Sequence, residues 1–342
     1  MSQLSALRFH PCIAHNVSLF GMQTRYWQAW LGAVTQGATM GKDRTLQAAG
    51  MILVYAAIIG FTDNYVRVIA AHAGLWQFHF TRSTFAIAIL VLLATPLSLR
   101  LKPANPRAVI ARSTIHGLAM VIYFGALAFL PVALVAAGLF TAPIFVLLIS
   151  RFAYGEAIGP FRIFAVILGF AGAVLVLGPE ALAGTSLPAL LPVLAGAMYA
   201  TGNIATRKWC PQESAETLLA GFFLALGLIG ALGMAALALW PVPVPDGVAG
   251  FLQRGPVWPG GGFWLWTFIQ AAGALVGIGL MVRAYQVADA TRVSVFEYAI
   301  LPSAAIWAWV LWGEVLTPLA ILGMALIVAA GLMIALRARR SG

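Results

Sequence analysis

Charge is what this sequence has least of. Aspartate and glutamate together supply 10 of its 342 residues, and all charged types only 9%, against about 25% in an ordinary soluble domain. Hydrophobic residues make up 62%, and the mean hydropathy is +0.94. A soluble fold has to cover its surface with polar groups, so a soluble enzyme, a nucleic-acid-binding module and a disordered chain are all excluded. Cysteine is nearly absent too: Cys12 and Cys210 are the only two, which excludes a disulfide framework. Cys12 and His15 have metal-ligand spacing, but no second ligand pair follows, so no metal site is expected. There is no GxxxxGK[ST] phosphate loop, no HExxH zinc motif and no GxSxG elbow. Neither enzymatic activity nor a cofactor is expected, and an integral membrane enzyme is kept only as a distant alternative.

What the chain has instead is long apolar runs. A spanning helix needs about 20 mostly apolar residues, whereas a barrel strand would alternate polar and apolar positions. Runs such as Val166–Gly178 and Leu218–Leu239 do not alternate. The expected class is therefore all-α, a polytopic membrane protein of ten transmembrane helices. The spans fall near 48–68, 76–97, 109–129, 132–151, 161–178, 187–206, 216–239, 264–286, 291–312 and 317–336. Proline and glycine punctuate them, most heavily from Pro241 to Gly262. Residues 1–47 read as a disordered or interfacial tail. Leu19–Leu31 is the candidate interfacial helix, no continuous apolar stretch suggests a signal peptide, and Met40 begins a plausible shorter chain.

The lysines and arginines, 20 in all for a net charge of +10, alternate with the spans. One side receives the tail cations, Arg100, Lys102, Arg107, Arg112, Arg151, Arg162, Arg207, Lys208, Arg283, Arg292 and the C-terminal arginines. The other receives only Arg67 and Arg254, and Arg82 lies within a span. By the positive-inside rule both termini are cytoplasmic. The basic residues follow topology and form no single patch, so nucleic acid is not an expected partner.

There is also an internal repeat. Residues 155–177 and 313–335 align without gaps, with Gly155, Glu156, Pro160, Ile163, Leu168 and Ala171 matching Gly313, Glu314, Pro318, Ile321, Leu326 and Ala329. Pro143 mirrors Pro302 with one residue of slip. Two five-helix halves are expected, 48–180 and 187–338. Five is odd, so the second half enters the membrane from the opposite side. Inverted-topology repeats of this kind build many secondary transporters, with the substrate site near the midplane.

These features carry a resemblance. Tyr123 to Pro131 (YFGALAFLP), Thr141-Ala-Pro143 and Gly155-Glu156, with Ala284-Tyr285, Leu301-Pro302 and Gly313-Glu314 in the second half, are similar to the EamA-domain carriers of the drug/metabolite transporter superfamily. The resemblance covers about residues 48–338 and leaves out the tail. It implies ten helices in two tandem EamA repeats and no ATP-hydrolysing subunit. It also implies a multi-pass place in the bacterial inner membrane and a small-molecule substrate moved by alternating access. Members it resembles export amino acids and other metabolites, so efflux of an amino-acid-like compound is the expected direction. Uptake of a vitamin or cofactor such as riboflavin or S-adenosylmethionine is the alternative.

Ionisable groups inside a bilayer are costly, and they usually face a partner or a wet path. Asp63 and Arg67, four apart, form either a neutralised pair or a carboxylate open to a cation or proton. Arg82, with His79 three residues before it, offers a guanidinium fork to a substrate carboxylate or phosphate, or else forms a structural ion pair. Glu297, followed by Tyr298 and Pro302, places a buried carboxylate beside a helix disturbance, suited to substrate or a coupling proton; its bland alternative is a salt bridge to Arg292. Thr141 and Pro143 are the counterpart in the fourth span, and Tyr123 and His116 in the third either add polar or aromatic contacts or serve helix packing. The substrate-binding candidates are thus Arg82, Tyr123, Thr141, Glu297 and Tyr298, the proton-coupling candidates Glu297 and Asp63, and the kink or cavity residues Pro143 and Pro302. Glu156 and Glu314 read as helix-start carboxylates. Gly273 with Gly277, and Gly227, Gly230 and Gly233, mark close helix packing inside the bundle or between protomers of a homodimer.

Overall fold

The computed structural model describes residues 44–182 and 187–340. Among them are helices and short 3-10 turns and no strands. Ten helices are long and apolar enough to cross a membrane: Thr45–His72, Leu75–Ala94, Pro106–Ala126, Val132–Phe152, Pro160–Leu177, Leu187–Lys208, Ala215–Leu239, Gly261–Val287, Ala290–Trp312 and Pro318–Ala338. The Leu19–Leu31 helix and the Cys12–His15 pair lie outside the described residues.

Local chemistry sets the ends. The third span starts three residues before its expected position because Asn105 caps it, accepting from the Ala108 N–H at 3.2 Å, with Pro106 in the first turn. Ser214 likewise accepts from the Thr217 N–H at 3.1 Å to start the seventh span. The fourth and ninth spans end alike. Gly155 (φ +65°) and Gly313 (φ +69°) take the left-handed conformation. The next N–H, that of Glu156 or Glu314, then reaches back to the carbonyl of Ser150 (3.0 Å) or Ala308 (3.4 Å). Glycine is needed at both because a Cβ disfavours that conformation.

Three spans are broken. The first is interrupted at Asn64–Tyr65, between Thr45–Asp63 and Val66–His72. Asn64 Nδ2 donates to Gly60 O at 2.7 Å and to Ala304 O of the ninth span at 3.1 Å. The fourth breaks at Phe140–Thr141, just before Pro143, and the ninth passes through a 3-10 turn at Glu297–Ala299, just before Pro302. A proline has no N–H for the carbonyl four residues back, which explains both sites.

The glycine stripes pack inside the bundle. A Cβ added at Gly273 would stand 2.7 Å from Thr62 Cγ2, and one at Gly277 would stand 3.3 Å from Ile59 Cδ1, both in the first span. A Cβ added at Gly230 would stand 2.7 Å from Phe80 N and 2.8 Å from Trp76 O of the second span. The fifth and tenth spans cross at Gly172 and Gly323, each 2.7 Å or less from the other's carbonyl by the same measure.

Polar contacts show which connections share an end. At one end, Asn105 N donates to Glu213 Oε1 (2.6 Å), Lys208 pairs with Glu156 (2.7 Å), Arg162 with Asp289 (2.9 Å), and Arg292 Nη1 reaches Thr45 Oγ1 (3.3 Å). This is the basic face. At the other end, Arg67 pairs with Glu314 at 2.8 Å. There too, Gln77 exchanges two hydrogen bonds with Val257 (2.7 and 3.0 Å), and Arg254 donates to the Ala70 carbonyl at 2.7 Å.

Candidate functional site

A cavity of about 800 Å³ enters the bundle from the face opposite the basic one. Arg67, Pro131 and Glu314 stand at its mouth. Tyr55, His116, Tyr199, Met281 and Glu297 line its depth, and none of its wall comes from the basic-face connections. The breaks in the first, fourth and ninth spans all reach the wall, through Asp63 and Asn64, Phe140 and Pro143, and Glu297.

Two polar groups occupy the interior. On one side Arg82 Nη1 donates to Gln270 Oε1 at 3.0 Å, and Gln270 Nε2 donates to Asp63 Oδ1 at 3.0 Å. A buried guanidinium and a half-buried carboxylate are thus joined through one amide. A lone arginine costs roughly 2.5–3.5 kcal/mol at a bilayer's centre on insertion scales, and this relay offsets part of that. The expected Asp63–Arg67 pair is not what forms: the break at Asn64–Tyr65 ends the helical register between them, and Arg67 reaches Glu314 instead, its guanidinium 4.0 Å over the Trp312 ring.

On the other side Glu297, 4% exposed, accepts at Oε1 from the Tyr285 hydroxyl and from Asn203 Nδ2 (3.3 Å). Tyr55 and Tyr199 hydroxyls lie 3.3 Å apart beside it, and Tyr199 donates to Met281 Sδ at 2.9 Å. Glu297 makes no ion pair among the described residues; Arg292 reaches Thr45 instead.

Of the residues expected at the site, Asp63, Arg82, Tyr123, Pro143 and Glu297 line the cavity, while Thr141, Tyr298 and Pro302 do not. The Thr141 hydroxyl donates to Gly138 O at 2.6 Å and faces the sixth span, where a Cβ on Gly196 would stand 2.7 Å from it. It stitches the break in its own span. Tyr298 is fully buried with Phe140, Ala173 and Leu301, its ring filling the space above Gly169. A 3-10 turn advances the chain by a different angle from an α-helix, so Glu297 reaches the wall and its neighbour turns away. Glu156 and Glu314 follow helix ends, and their carboxylates hold Lys208 and Arg67.

Gln270, Asn203, Tyr199 and Tyr285 were missed because uncharged polar residues in an apolar run carry no mark of what they meet. Phe251 was missed as well. The connection after the seventh span brings it, 1% exposed, to the cavity wall.

A bundle of ten spanning helices, three broken where they line a polar cavity open to one face, is the architecture of a membrane carrier. Comparisons with known proteins point the same way. Residues 46–178 match the EamA-like transporter family. The chain is 28% identical over 78% of its length to a riboflavin transporter of Rhizobium johnstonii, of which it covers 80%. It is 26% identical over 83% of its length to the pseudopaline exporter CntI of Pseudomonas aeruginosa, of which it covers 95%. A solved crystal structure at 22% identity superposes with a TM-score of 0.68 over 86% of this chain and 97% of that one, which establishes the shared fold. The protein is a multi-pass membrane transporter of small metabolites.

Proposed function

We propose that the protein exports an amphoteric, amino-acid-like metabolite across the bacterial inner membrane by alternating access, with both termini cytoplasmic. The cavity carries this reading: it holds an arginine and two carboxylates at depth and opens only to the face poor in lysine and arginine. With the basic face cytoplasmic, the structure is the outward-open state. The Lys208–Glu156 and Arg162–Asp289 pairs then belong to the closed inner side. Opening inward breaks them, and the two five-helix halves, 48–180 and 187–338, rock about the cavity. Arg82 and Tyr123 meet the substrate on one wall and Glu297 on the other; Glu297 and Asp63 are the groups that exchange a coupling proton. Pro143 and Pro302 hold the breaks that let the wall deform.

Uptake of a vitamin-like compound is the second reading, favoured by the relative named as a riboflavin transporter. One experiment separates the two. Small-molecule pools in cells and medium are compared for the wild type, Glu297→Gln and an empty vector, with membrane expression confirmed. A compound enriched in the medium only with the wild type establishes export. Faster depletion from the medium reverses the direction. No wild-type difference across a broad metabolite panel contradicts the reading.

A further inference from the structure

The charged groups along the cavity are balanced everywhere except at its deep end. At the mouth Arg67 is matched by Glu314, and on one wall Arg82 is joined to Asp63 through Gln270. The remaining charged group among the described wall residues is Glu297, and its partners, Tyr285 and Asn203, are neutral donors. Both of these donors fall on Oε1, and the Tyr199 hydroxyl stands beside the same carboxylate. Asn203 spends its amide N–H on the carboxylate, and its own Oδ1 is buried with no donor. The Glu297 carboxylate therefore stands at the deep end of a polar cavity, and no cation among the described wall residues answers it.

The surroundings are aromatic. Tyr55 and Tyr199 stand within electrostatic reach of the Glu297 carboxylate, and Phe140 and Phe222 line the same cavity. His116, the other base on this part of the wall, lies against the Tyr199 and Phe222 rings at 4.7 and 5.3 Å. A carboxylate among ring faces suits a particular ligand group. An ammonium supplies hydrogen-bond donors and a positive charge for the carboxylate and a cation for the rings. A neutral hydroxyl supplies one donor and no charge, and a carboxylate would face Glu297 with like charge.

We propose that the pocket formed by Glu297, Tyr55 and Tyr199 binds a primary or alkylated ammonium group of the transported molecule, whose apolar or aromatic body lies along the wall of Tyr123, Phe124 and Phe140. This rests on the reading of the cavity as the transport site. It goes further in assigning the charged end to one carboxylate and in making the ammonium, rather than an anionic group, the feature that selects the substrate. Arg82 is already joined to Asp63, so an acidic group on the substrate is not required.

The test is equilibrium binding to the purified full chain in lipid nanodiscs, with three probes of one shape: 2-phenylethylammonium, 2-phenylethanol and 3-phenylpropanoate. A charge-assisted contact is roughly twice as strong as a neutral one, so the ammonium is expected to bind about tenfold tighter than the alcohol, and the carboxylate weakest. Glu297→Gln removes the preference for the ammonium. Asp246→Asn, which deletes an exposed carboxylate outside the cavity, keeps it. The wild-type ranking decides the matter even where Glu297→Gln does not fold. Equal affinities, tighter binding of the carboxylate, no binding of any probe, or a preference that survives in folded Glu297→Gln each overturns the assignment. If transport is seen in the metabolite comparison while this ranking fails, the carrier reading stands and only the ammonium pocket falls.

Discussion

Glu297, Asp63 and Arg82 can be picked out of the sequence because each is a charge in an apolar run, where roughly 2–4 kcal/mol must be recovered from something nearby. What recovers it could not be read there. Gln270 joins Asp63 to Arg82 from 207 and 188 residues away and Asn203 meets Glu297 across 94, contacts that follow from helix packing rather than from spacing. Cys210 shows the same limit: the sequence says only that it is one of two cysteines, and the structure gives its surroundings. Its side chain is buried in the connection after the sixth span. Burial pushes its thiol up to about 11, the Arg112 guanidinium opposing the rise and Glu213 adding to it. The thiolate is the reactive form, so in a Cys12→Ser background Cys210 is expected to react slowly with an alkylating reagent at pH 8. It should react faster as the pH nears 11, and fast at pH 8 once the chain is unfolded in detergent. Because the folded pKa is raised, the folded state holds the proton more tightly: any contribution of this thiol to stability is present at neutral pH and lost as the pH rises towards 11. Rapid labelling of folded protein at pH 8 would show that the connection is not packed as described.

Hydropathy located all ten spans to within a few residues, since bilayer thickness dictates their length. Caps such as Asn105 and Ser214 account for much of the remaining offset. Pro143 and Pro302 marked two of the three breaks. The third, at Asn64–Tyr65, has no proline or glycine and is held by the Asn64 side chain bridging Gly60 and Ala304, which sequence alone could not reveal. If the breaks exist for the cavity's sake, restoring the missing N–H should cost function and not stability. Pro143→Ala and Pro302→Ala each give back a backbone donor, so transport is expected to fall several-fold while the thermal midpoint in detergent holds or rises. A midpoint that drops by many degrees would make these prolines packing elements instead. The two left-handed glycines behave oppositely. Gly155→Ala or Gly313→Ala should cost about 1 kcal/mol, read as a lower midpoint.

At the scale of the whole molecule, the Gly-Glu pairs that marked the repeat in the sequence prove to be matched contacts on opposite faces. Glu156 holds Lys208, which lies 5.2 Å over the Tyr154 ring, and Glu314 holds Arg67, which lies 4.0 Å over the Trp312 ring. Each pair joins a residue before position 181 to one after position 186. The sequence displayed the repetition and the basic bias of alternate connections; it held nothing about which face the cavity would open to, because that is a property of one conformation. Alternating access requires that a single cavity be exposed to the two faces in turn. The most direct measurement is labelling by a membrane-impermeant thiol reagent in vesicles of known orientation, in a background free of Cys12 and Cys210. Ala133→Cys probes the cavity wall, and Ser294→Cys probes a buried position towards the basic face. Position 133 should react only from the outer face and position 294 only from the cytoplasmic face, with substrate shifting the two rates in opposite directions. Reaction of both positions from the same face, or rates that rise together, would mean a continuous channel and would contradict alternating access.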